Sequence, residues 1–549
     1  MSGLDGVAYP IKSLTGFHID IDALTRDVTH DPAARQQLYR SAANMAPRGR
    51  PKGCPHESLL VEASEYGRRK AGFVRIPAEK RSAATGPSLG VAANTAPDPS
   101  TFPGPLVLPD DDIALDPRSA PQSAQSWAKG RWRNPIKPQR KTLYVADVPA
   151  IGEDAAFMAA WSSPDVSGSK TPPIAADGLE HPEVQDVRGY LAAFYHPLPV
   201  KRLPAALRFV KWDDDGERSR AGRRLEGMAM VGLETGDGSV VGIRARPAPD
   251  GLARMQLNLC DLLDALASVL PADAYAACMV VAQDLYEDDD DDFCCGRAFG
   301  GSRICVVSGF RYRPLLDGVQ GVEREHMWPA SHCERFVVEA VEWWEEQDAA
   351  EGEEGGGVSG AGTEKGAKTR RKGGGDDDDG EITVDLKRVK GTAMGAAVEA
   401  SRAVLVPRPA PKRSRDGDLK GLWFARVART AAHEIGHCLG MDHCVYYACV
   451  MQGTGGLGED ARQPPYLCPV CEDKVLWGLG EMGVVEGGRG GKWREGRRSA
   501  VERERMESMR GFCELWKGVG MFAGYAGWLD ARLKAEFGLR EAEVIDLTG

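Results

Sequence analysis

The motif H-E-x-x-H-x-x-G-x-x-H carries side chains whose types and spacing suit a catalytic metal ion. His433 and His437 are four residues apart, so on a helix both imidazoles project from one face and can bind a single Zn²⁺. Glu434 lies on the same turn, too near the helix axis to bind the metal, and is placed to polarise a water molecule as general base. Gly440 allows a sharp turn that brings His443 to the metal as a third ligand, which leaves a fourth position for water or substrate.

A cluster of cysteines follows this motif directly. The spacings C-x4-C and C-x2-C provide four thiolates, enough for a closed tetrahedral zinc site, which is structural because no coordination position stays open. Four unrelated buried thiols are the alternative. Cys438 lies outside both spacings and is interpreted as a small core residue rather than a ligand. The four predicted ligands are Cys444, Cys449, Cys468 and Cys471.

The composition argues against several classes of protein. The 549 residues include 69 Lys and Arg against 80 Asp and Glu, a net charge of −11, so the chain lacks the basic excess typical of nucleic-acid binding. Its apolar runs fall short of the roughly 18–20 residues that span a bilayer, and its N-terminus lacks a signal-peptide pattern. We therefore expect a protein of the cytoplasm, with the nucleus as the alternative, that is not secreted and does not bind membranes, and nucleic-acid binding is not expected. We also expect a monomer, although composition does not determine the oligomeric state.

Glycine and proline are concentrated in patches, which predicts long unstructured segments around a smaller folded part. Residues 1–140 are rich in Pro, Ser, Ala, Arg and Asp, and we expect them to be largely disordered. A tract of Gly, Glu, Lys and Asp at 349–380 is predicted to be a flexible insertion. The folded domain is expected to span residues 185–540.

Hydrophobic periodicity predicts an α+β fold and the elements that position the motifs. A long helix over 419–439 carries the two histidines and ends at Gly440, a residue suited to a left-handed turn. The pattern also predicts strands at 142–148, 278–285, 303–312, 381–386 and 402–406, and helices at 255–270, 334–347, 499–516 and 528–537.

The order H-E-x-x-H-x-x-G-x-x-H-C-x4-C-x-M, followed by C-x-x-C, resembles the archaemetzincins, or archaelysins, zinc metallopeptidases of the metzincin clan. The similarity extends upstream to residues 284–286, 293–298 and 307–312, and in all it covers 188–316 and 419–480. The implied fold is a metzincin-like α+β domain, in which a twisted mixed β-sheet packs on the zinc-binding helix and a four-cysteine zinc knob follows.

By this resemblance the chain is a metallopeptidase that acts on peptides or proteins with narrow, aminopeptidase-like specificity. Met451 corresponds to the family's methionine under the metal site. The implied reaction is peptide-bond hydrolysis by a water molecule that zinc polarises and Glu434 activates. Two zinc ions per chain are expected, one catalytic and one structural. The alternative is a non-catalytic, zinc-stabilised module that binds other proteins, against which the intact Glu434 argues.

Two features depart from the family pattern: the acidic run at 287–292 and the long stretch between Tyr312 and the zinc helix. Both border the expected substrate cleft. The acidic run either recognises a basic residue or a free amino terminus of the substrate, or is a solvated loop. His326, His332 and Cys333 lack the fixed spacing of a metal site and are interpreted as structural or surface residues.

Overall fold

An apolar segment near the middle of the chain, Ala274–Val281, forms the central strand of the main sheet in the computed structural model. All of its residues are buried, because the sheet is covered on both faces. The structure describes residues 54, 56–62, 73–85, 97–109, 111–117, 119–131, 133–166, 178–212, 229–354, 386–405, 413–481 and 497–538.

The strands of the described residues are numbered in chain order. They are β1 (Ser58–Leu60), β2 (Thr142–Ala146), β3 (Ala150–Ile151), β4 (Val200–Arg202), β5 (Arg208–Lys211), β6 (Ala229–Glu234), β7 (Val240–Arg246), β8 (Gln256–Asn258), β9 (Ala274–Val281), β10 (Asp284–Tyr286), β11 (Gly296–Phe299), β12 (Ile304–Ser308) and β13 (Leu386–Arg388).

These strands form three sheets. The main sheet has the order β11-β12-β9-β2-β4, parallel except for β11, which pairs antiparallel with β12 at the edge. A second sheet, β10-β8-β7-β6-β5-β3, is antiparallel at its centre, and β1 pairs antiparallel with β13. The prediction of a mixed sheet combined with helices is confirmed.

The helices pack around these sheets. None of those described is both long and apolar enough to cross a membrane. They are α1 (Ala78–Ala84), α2 (Asp112–Leu115), α3 (Ala124–Lys129), α4 (Val184–Phe194), α5 (Leu259–Ser268), α6 (Glu334–Glu354), α7 (Ala393–Leu405), α8 (Arg413–Cys438), α9 (Leu457–Arg462), α10 (Pro469–Glu481), α11 (Arg497–Leu515) and α12 (Gly520–Phe537), with a kinked 3₁₀ segment at Glu153–Ser162.

The core lies on both faces of the main sheet, as the two-residue period of a strand requires. Cys278 and Val280 of β9 belong to the core that contains Ile435 of α8. Met279 and Val281 face the other way, into the core formed with α5 and the second sheet. The helix that carries the histidine motif is therefore packed against one face of a rigid sheet.

Some sequence-based boundaries were wrong. The predicted strand at 402–406 is instead the end of α7, whose alanine-rich sequence favours a helix that buries one face. The predicted helix at 255–270 begins only at Leu259, after β8, and the strand predicted at 278–285 is divided into β9 and β10. Most of the predicted insertion at 349–380 lies outside the described residues.

The expectation that residues 1–140 are largely disordered does not hold for most of 97–140, which the structure describes as packed against the rest of the fold. Trp127 is 2% exposed, and its indole N–H donates to the carbonyl of Leu439 at 3.1 Å. Proline-rich segments without periodicity can be ordered by isolated large side chains that fill existing gaps, and periodicity cannot detect this. β2, in the interior of the main sheet, also lies before residue 185, where the domain was expected to begin.

We predict that Trp127→Ala lowers the free energy of unfolding by about 3–5 kcal/mol, because it removes a large buried side chain. Trp127→Phe should cost only about 1–2 kcal/mol, chiefly because the Leu439 carbonyl loses its donor. Urea unfolding of the full chain measures both values. The exposed Gln125 lies on the same helix, so Gln125→Ala is the control and should change stability little. Equal stability of Trp127→Ala and the wild type would show that this segment is not docked.

Candidate metal centres

The last turns of α8 bring the two helical histidines together. His433 and His437 lie one turn apart, with their Nε2 atoms 2.9 Å from each other. The Nδ1 atom of His433 lies 2.6 Å from the carbonyl of Val450, and that of His437 lies 2.7 Å from the carbonyl of Met441. A carbonyl can only accept, so each Nδ1 carries the proton and each Nε2 presents a lone pair.

A left-handed turn after the helix brings in the third histidine. Gly440 has φ +81°, and a Cβ there would lie 2.9 Å from the Cα of Arg133, so both backbone conformation and space require glycine. The ring of His443 then lies with its centroid 5.3 Å from that of His433 and 5.0 Å from that of His437. One nitrogen of each ring lies within 4.8 Å of the other two, a set that could hold a metal ion.

Glu434 projects toward the edge strand of the main sheet. A Cβ on Gly296 of β11 would lie 3.1 Å from its Oε1 atom, so the carboxyl group lies directly beside the backbone of that strand. Burial raises the pKa of Glu434 to about 8, Arg297 opposes this rise and Glu287 adds to it. Positive charge held by the neighbouring histidines would oppose this rise and favour the carboxylate that a general base requires.

Met451 packs beneath the histidine pair. It is fully buried, and a Cβ on Gly436 would collide with its sulfur atom, so the helix and the methionine are in direct contact. A Cβ on Gly436 would also lie 2.9 Å from the Cε atom of Met441. The glycine between the two histidines therefore allows this close packing below the site.

The end of α8 is held by a part of the chain that sequence patterns did not connect with it. Besides the Trp127 bond, Gln122 donates to the carbonyl of Gly440 at 3.2 Å and to the carboxylate of Asp442 at 2.7 Å. Asn134 donates to the carbonyl of Gly300 at 2.6 Å, beside β11. The side chains of Trp127 and Gln122 therefore supply donors for the carbonyls of the turn that directly follows α8.

The four predicted cysteine ligands converge as well. Their sulfur atoms lie within 4.8 Å of one another, all four residues are buried, and the Sγ atoms of Cys444 and Cys468 are 3.5 Å apart. The backbone N–H groups of Met451 and Cys468 donate to Cys449 Sγ at 3.5 and 3.3 Å. These donors would stabilise a thiolate. Cys438 is buried and belongs to neither group.

The two centres share a short segment of chain. Val450, whose carbonyl orients His433, lies between Cys449 and Met451. The cysteine cluster therefore fixes the position of the Val450 carbonyl. That carbonyl determines which ring nitrogen of His433 carries the proton. This connection could not be read from the spacing of the motifs.

A cleft of 1130 Å³ contains the three histidines and Glu434, and its wall includes β11 and residues 288–292. Arg246 donates to the carbonyls of Asp288 and Asp289 at 3.0 and 3.2 Å, so the acidic loop is attached to the second sheet. Arg297, which periodicity did not single out, also lines the cleft, and it pairs with Glu287 at 3.1 Å.

The structure places the remaining candidate metal ligands, His326, His332 and Cys333, in two different environments. His332 is buried, and its Nε2 atom lies 3.0 Å from the carbonyl of Gly104. His326 and Cys333 instead belong to a third group of potential ligands, together with Cys54 and His56. The partners of His326 and Cys333 lie about 270 residues earlier in the chain, so sequence spacing could not reveal this group.

Comparison with known proteins agrees with this geometry. The model of peptidase family M54 matches residues 394–476. Human archaemetzincin-2 is 40% identical over 69 residues, 13% of this chain and 19% of the relative, and the archaemetzincin of Aeropyrum pernix is 34% identical over 84 residues, 15% and 45%. The chain thus matches less than half the length of each of these relatives.

Two solved structures are also similar. The archaemetzincin of Methanopyrus kandleri has a TM-score of 0.24 at 13% identity, over 62% of this chain and 96% of that one. A zinc-dependent peptidase of Methanocorpusculum labreanum has a TM-score of 0.24 at 15% identity, over 61% and 99%. The segment matched by the family model includes the three histidines and the four cysteines. Over this segment the chain is similar to peptidase family M54 and to the archaemetzincins.

Proposed function

We propose that the protein is a zinc-dependent metallopeptidase that hydrolyses peptide bonds, with a metzincin-like arrangement of zinc helix and sheet. The observation that carries the proposal is the convergence of three histidine nitrogens beside the buried Glu434, within one cleft. The family match supports the same activity.

The donor set fits zinc. His433 and His437 direct electron pairs toward each other across 2.9 Å, an unfavourable arrangement for neutral acceptors that a cation between them relieves. With His443 they form a three-histidine set of the kind found in catalytic zinc sites. We further propose that the four cysteines hold a second, structural zinc ion.

Bound zinc would supply positive charge that polarises water and a substrate carbonyl. The carboxylate of Glu434 then accepts a proton from the attacking water molecule and passes it to the amine that leaves when the peptide bond breaks. The burial of Glu434 excludes bulk water from this transfer. Beside it, β11 lies at the edge of the main sheet, where an extended peptide could pair with its backbone and be positioned across the cleft.

We also propose an aminopeptidase-like preference. The acidic run contributes residues 288–292 to the cleft wall, and Asp288, Asp289 and Asp290 are exposed there. Negative charge on one side of a cleft attracts a positively charged group such as a free amino terminus. The attachment of the loop through Arg246 keeps this charge beside the site.

Replacement of Glu434 tests the reaction. Glu434→Gln should retain zinc but lower kcat by about 100- to 10,000-fold, because the amide cannot accept the proton. Zinc content and peptide hydrolysis are measured on the same preparation. The control is Glu339→Gln, a change on α6 outside the cleft, which should leave activity unchanged. Wild-type hydrolysis by Glu434→Gln would refute the assigned role, and no cleavage by the zinc-loaded wild type would favour a non-catalytic zinc module.

Replacement of one cysteine tests the second zinc ion. Cys468→Ser should lose one zinc and lower the free energy of unfolding by about 4 kcal/mol or more, since the binding energy of a structural zinc is largely folding energy. Hydrolysis should also fall, because Val450 would no longer be fixed against His433. Metal analysis and urea unfolding provide the readouts. Cys438→Ser, a buried cysteine outside the group, should keep the full zinc content; equal zinc in both variants would contradict the assignment.

Removal of negative charge from the acidic loop tests whether the loop recognises the amino terminus of a substrate. The double change Asp289→Asn and Asp290→Asn should raise KM about 2- to 10-fold for peptides with a free amino terminus, from the modest energies of exposed charge pairs. KM for N-terminally blocked neutral peptides should change little, and so should kcat. Glu153→Gln, an exposed acidic position outside the cleft, is the control. An equal effect on blocked and unblocked peptides would show that the loop does not read the amino terminus.

A further inference from the structure

A third group of potential metal ligands lies apart from the two centres described above. Two of its members come from the N-terminal part of the chain and two from the segment that leads into α6. One donor atom of each side chain lies within 4.8 Å of the other three, and all four residues are buried. The members are Cys54, His56, His326 and Cys333.

His326 is oriented as a metal-binding histidine is. Its Nδ1 atom lies 2.8 Å from Oε1 of Glu323, which accepts the proton, and its ring stacks on Phe336 at 4.5 Å between centroids. Its Nε2 atom is buried and has no hydrogen-bond partner among the described residues. A carboxylate that holds one ring nitrogen while the other stays open is the usual outer partner of a metal-bound imidazole.

His56 lacks hydrogen-bond partners to a greater extent than His326 does. Both of its ring nitrogens are buried without a hydrogen-bond partner among the described residues. Its backbone has φ +50°, a left-handed conformation that is uncommon outside glycine and clusters at functional sites. A buried imidazole without a partner destabilises a fold, and a metal ion bound at one ring nitrogen would supply a partner.

The two thiols complete the set. The Sγ atoms of Cys54 and Cys333 are 3.4 Å apart, too far for a disulfide bond of about 2.05 Å. Two thiolates on a tetrahedral zinc, with bonds of about 2.3 Å, lie about 3.8 Å from each other. The backbone N–H of Cys54 donates to Oε1 of Glu325 at 2.6 Å, which fixes the approach of the N-terminal segment.

We propose that Cys54, His56, His326 and Cys333 bind a structural zinc ion. Two sulfur and two nitrogen donors in a tetrahedron favour zinc, and four protein ligands leave no position open for substrate. Two thiolates balance the charge of Zn²⁺, so the complex is neutral and suits its apolar surroundings. Those surroundings include Leu60, Leu106 and Val337.

The site would fasten the N-terminal segment to the body of the protein. The two thiols are 279 residues apart in the chain, so one ion would close a very long loop. β1 begins four residues after Cys54 and pairs with β13, while Cys333 directly precedes α6. The ion would thus join the β1–β13 pair to α6, and it takes no part in catalysis.

Zinc content of the full-length chain tests the proposal. After exhaustive dialysis, the double variant Cys54→Ser with Cys333→Ser should hold one zinc ion fewer than the wild type, by mass spectrometry of the metal. The control, His332→Gln, alters a buried histidine outside the group and should match the wild type. The difference between wild type and variant reports this site alone, whatever the other two centres hold. Equal zinc in a folded double variant would overturn the proposal.

Cobalt loading gives a measurement that does not need a folded variant. With Co²⁺ in every site, the wild type should show the thiolate-to-cobalt absorbance of six cysteines rather than four. Because histidine ligands give no such band, the result is independent of the proposed catalytic centre. Absorbance for only four thiolates, or a Cys54–Cys333 disulfide in a digest of the native protein, would overturn the proposal.

Discussion

Three imidazole nitrogens must face one point in the cleft, and the arrangement of the molecule around α8 follows from that requirement. The Nδ1 protons of His433 and His437 are both committed to backbone carbonyls, so the opposite nitrogens present electron pairs. One carbonyl belongs to Met441, in the turn after the helix, and the other to Val450, beside a cysteine of the four-thiol group. The helix, the turn and the cysteine segment therefore have to be in place together before the histidines can act as ligands.

The end of α8 imposes a second requirement. The carbonyls of Leu439 and Gly440, in the turn directly after the helix, accept hydrogen bonds from the side chains of Trp127 and Gln122, which precede β2 in the chain. Asn134 extends the same contact to the carbonyl beside β11. The segment that holds the helix end thus also holds the strand that borders the cleft. The same segment therefore links the position of the histidines to the position of β11, the strand against which a substrate would lie.

Groups of converging thiols and imidazoles recur where the chain is rich in loops. Cys444, Cys449 and Cys468 of the four-cysteine group lie in loops, and Cys471 lies in the first turn of α10. The third group joins two segments far apart in sequence. Ordering loops costs conformational entropy, and a bound metal can offset part of that cost. The apolar main sheet, by contrast, is held by packing on both of its faces.

The sequence by itself determined the elements and sites whose residues lie close together in the chain. The H-E-x-x-H-x-x-G-x-x-H motif and the cysteine pairs could be recognised because helical geometry and one turn bring their side chains together. The apolar run of β9 and the long helix α8 could also be recognised, because each pattern depends only on residues that are close together in the chain. The sequence also predicted that Glu434 lies beside the histidines, because it is on the same turn of the helix.

Only the tertiary structure decided which distant segments meet. The packing of Trp127 under the helix end, the carbonyl of Val450 behind His433, and the meeting of His56 with His326 all join residues well separated in the chain. Periodicity reports how one segment presents its side chains, and carries no information on which other segment they contact. The expectation of disorder was wrong for most of residues 97–140 for this reason, because the surfaces that order them are made elsewhere in the fold.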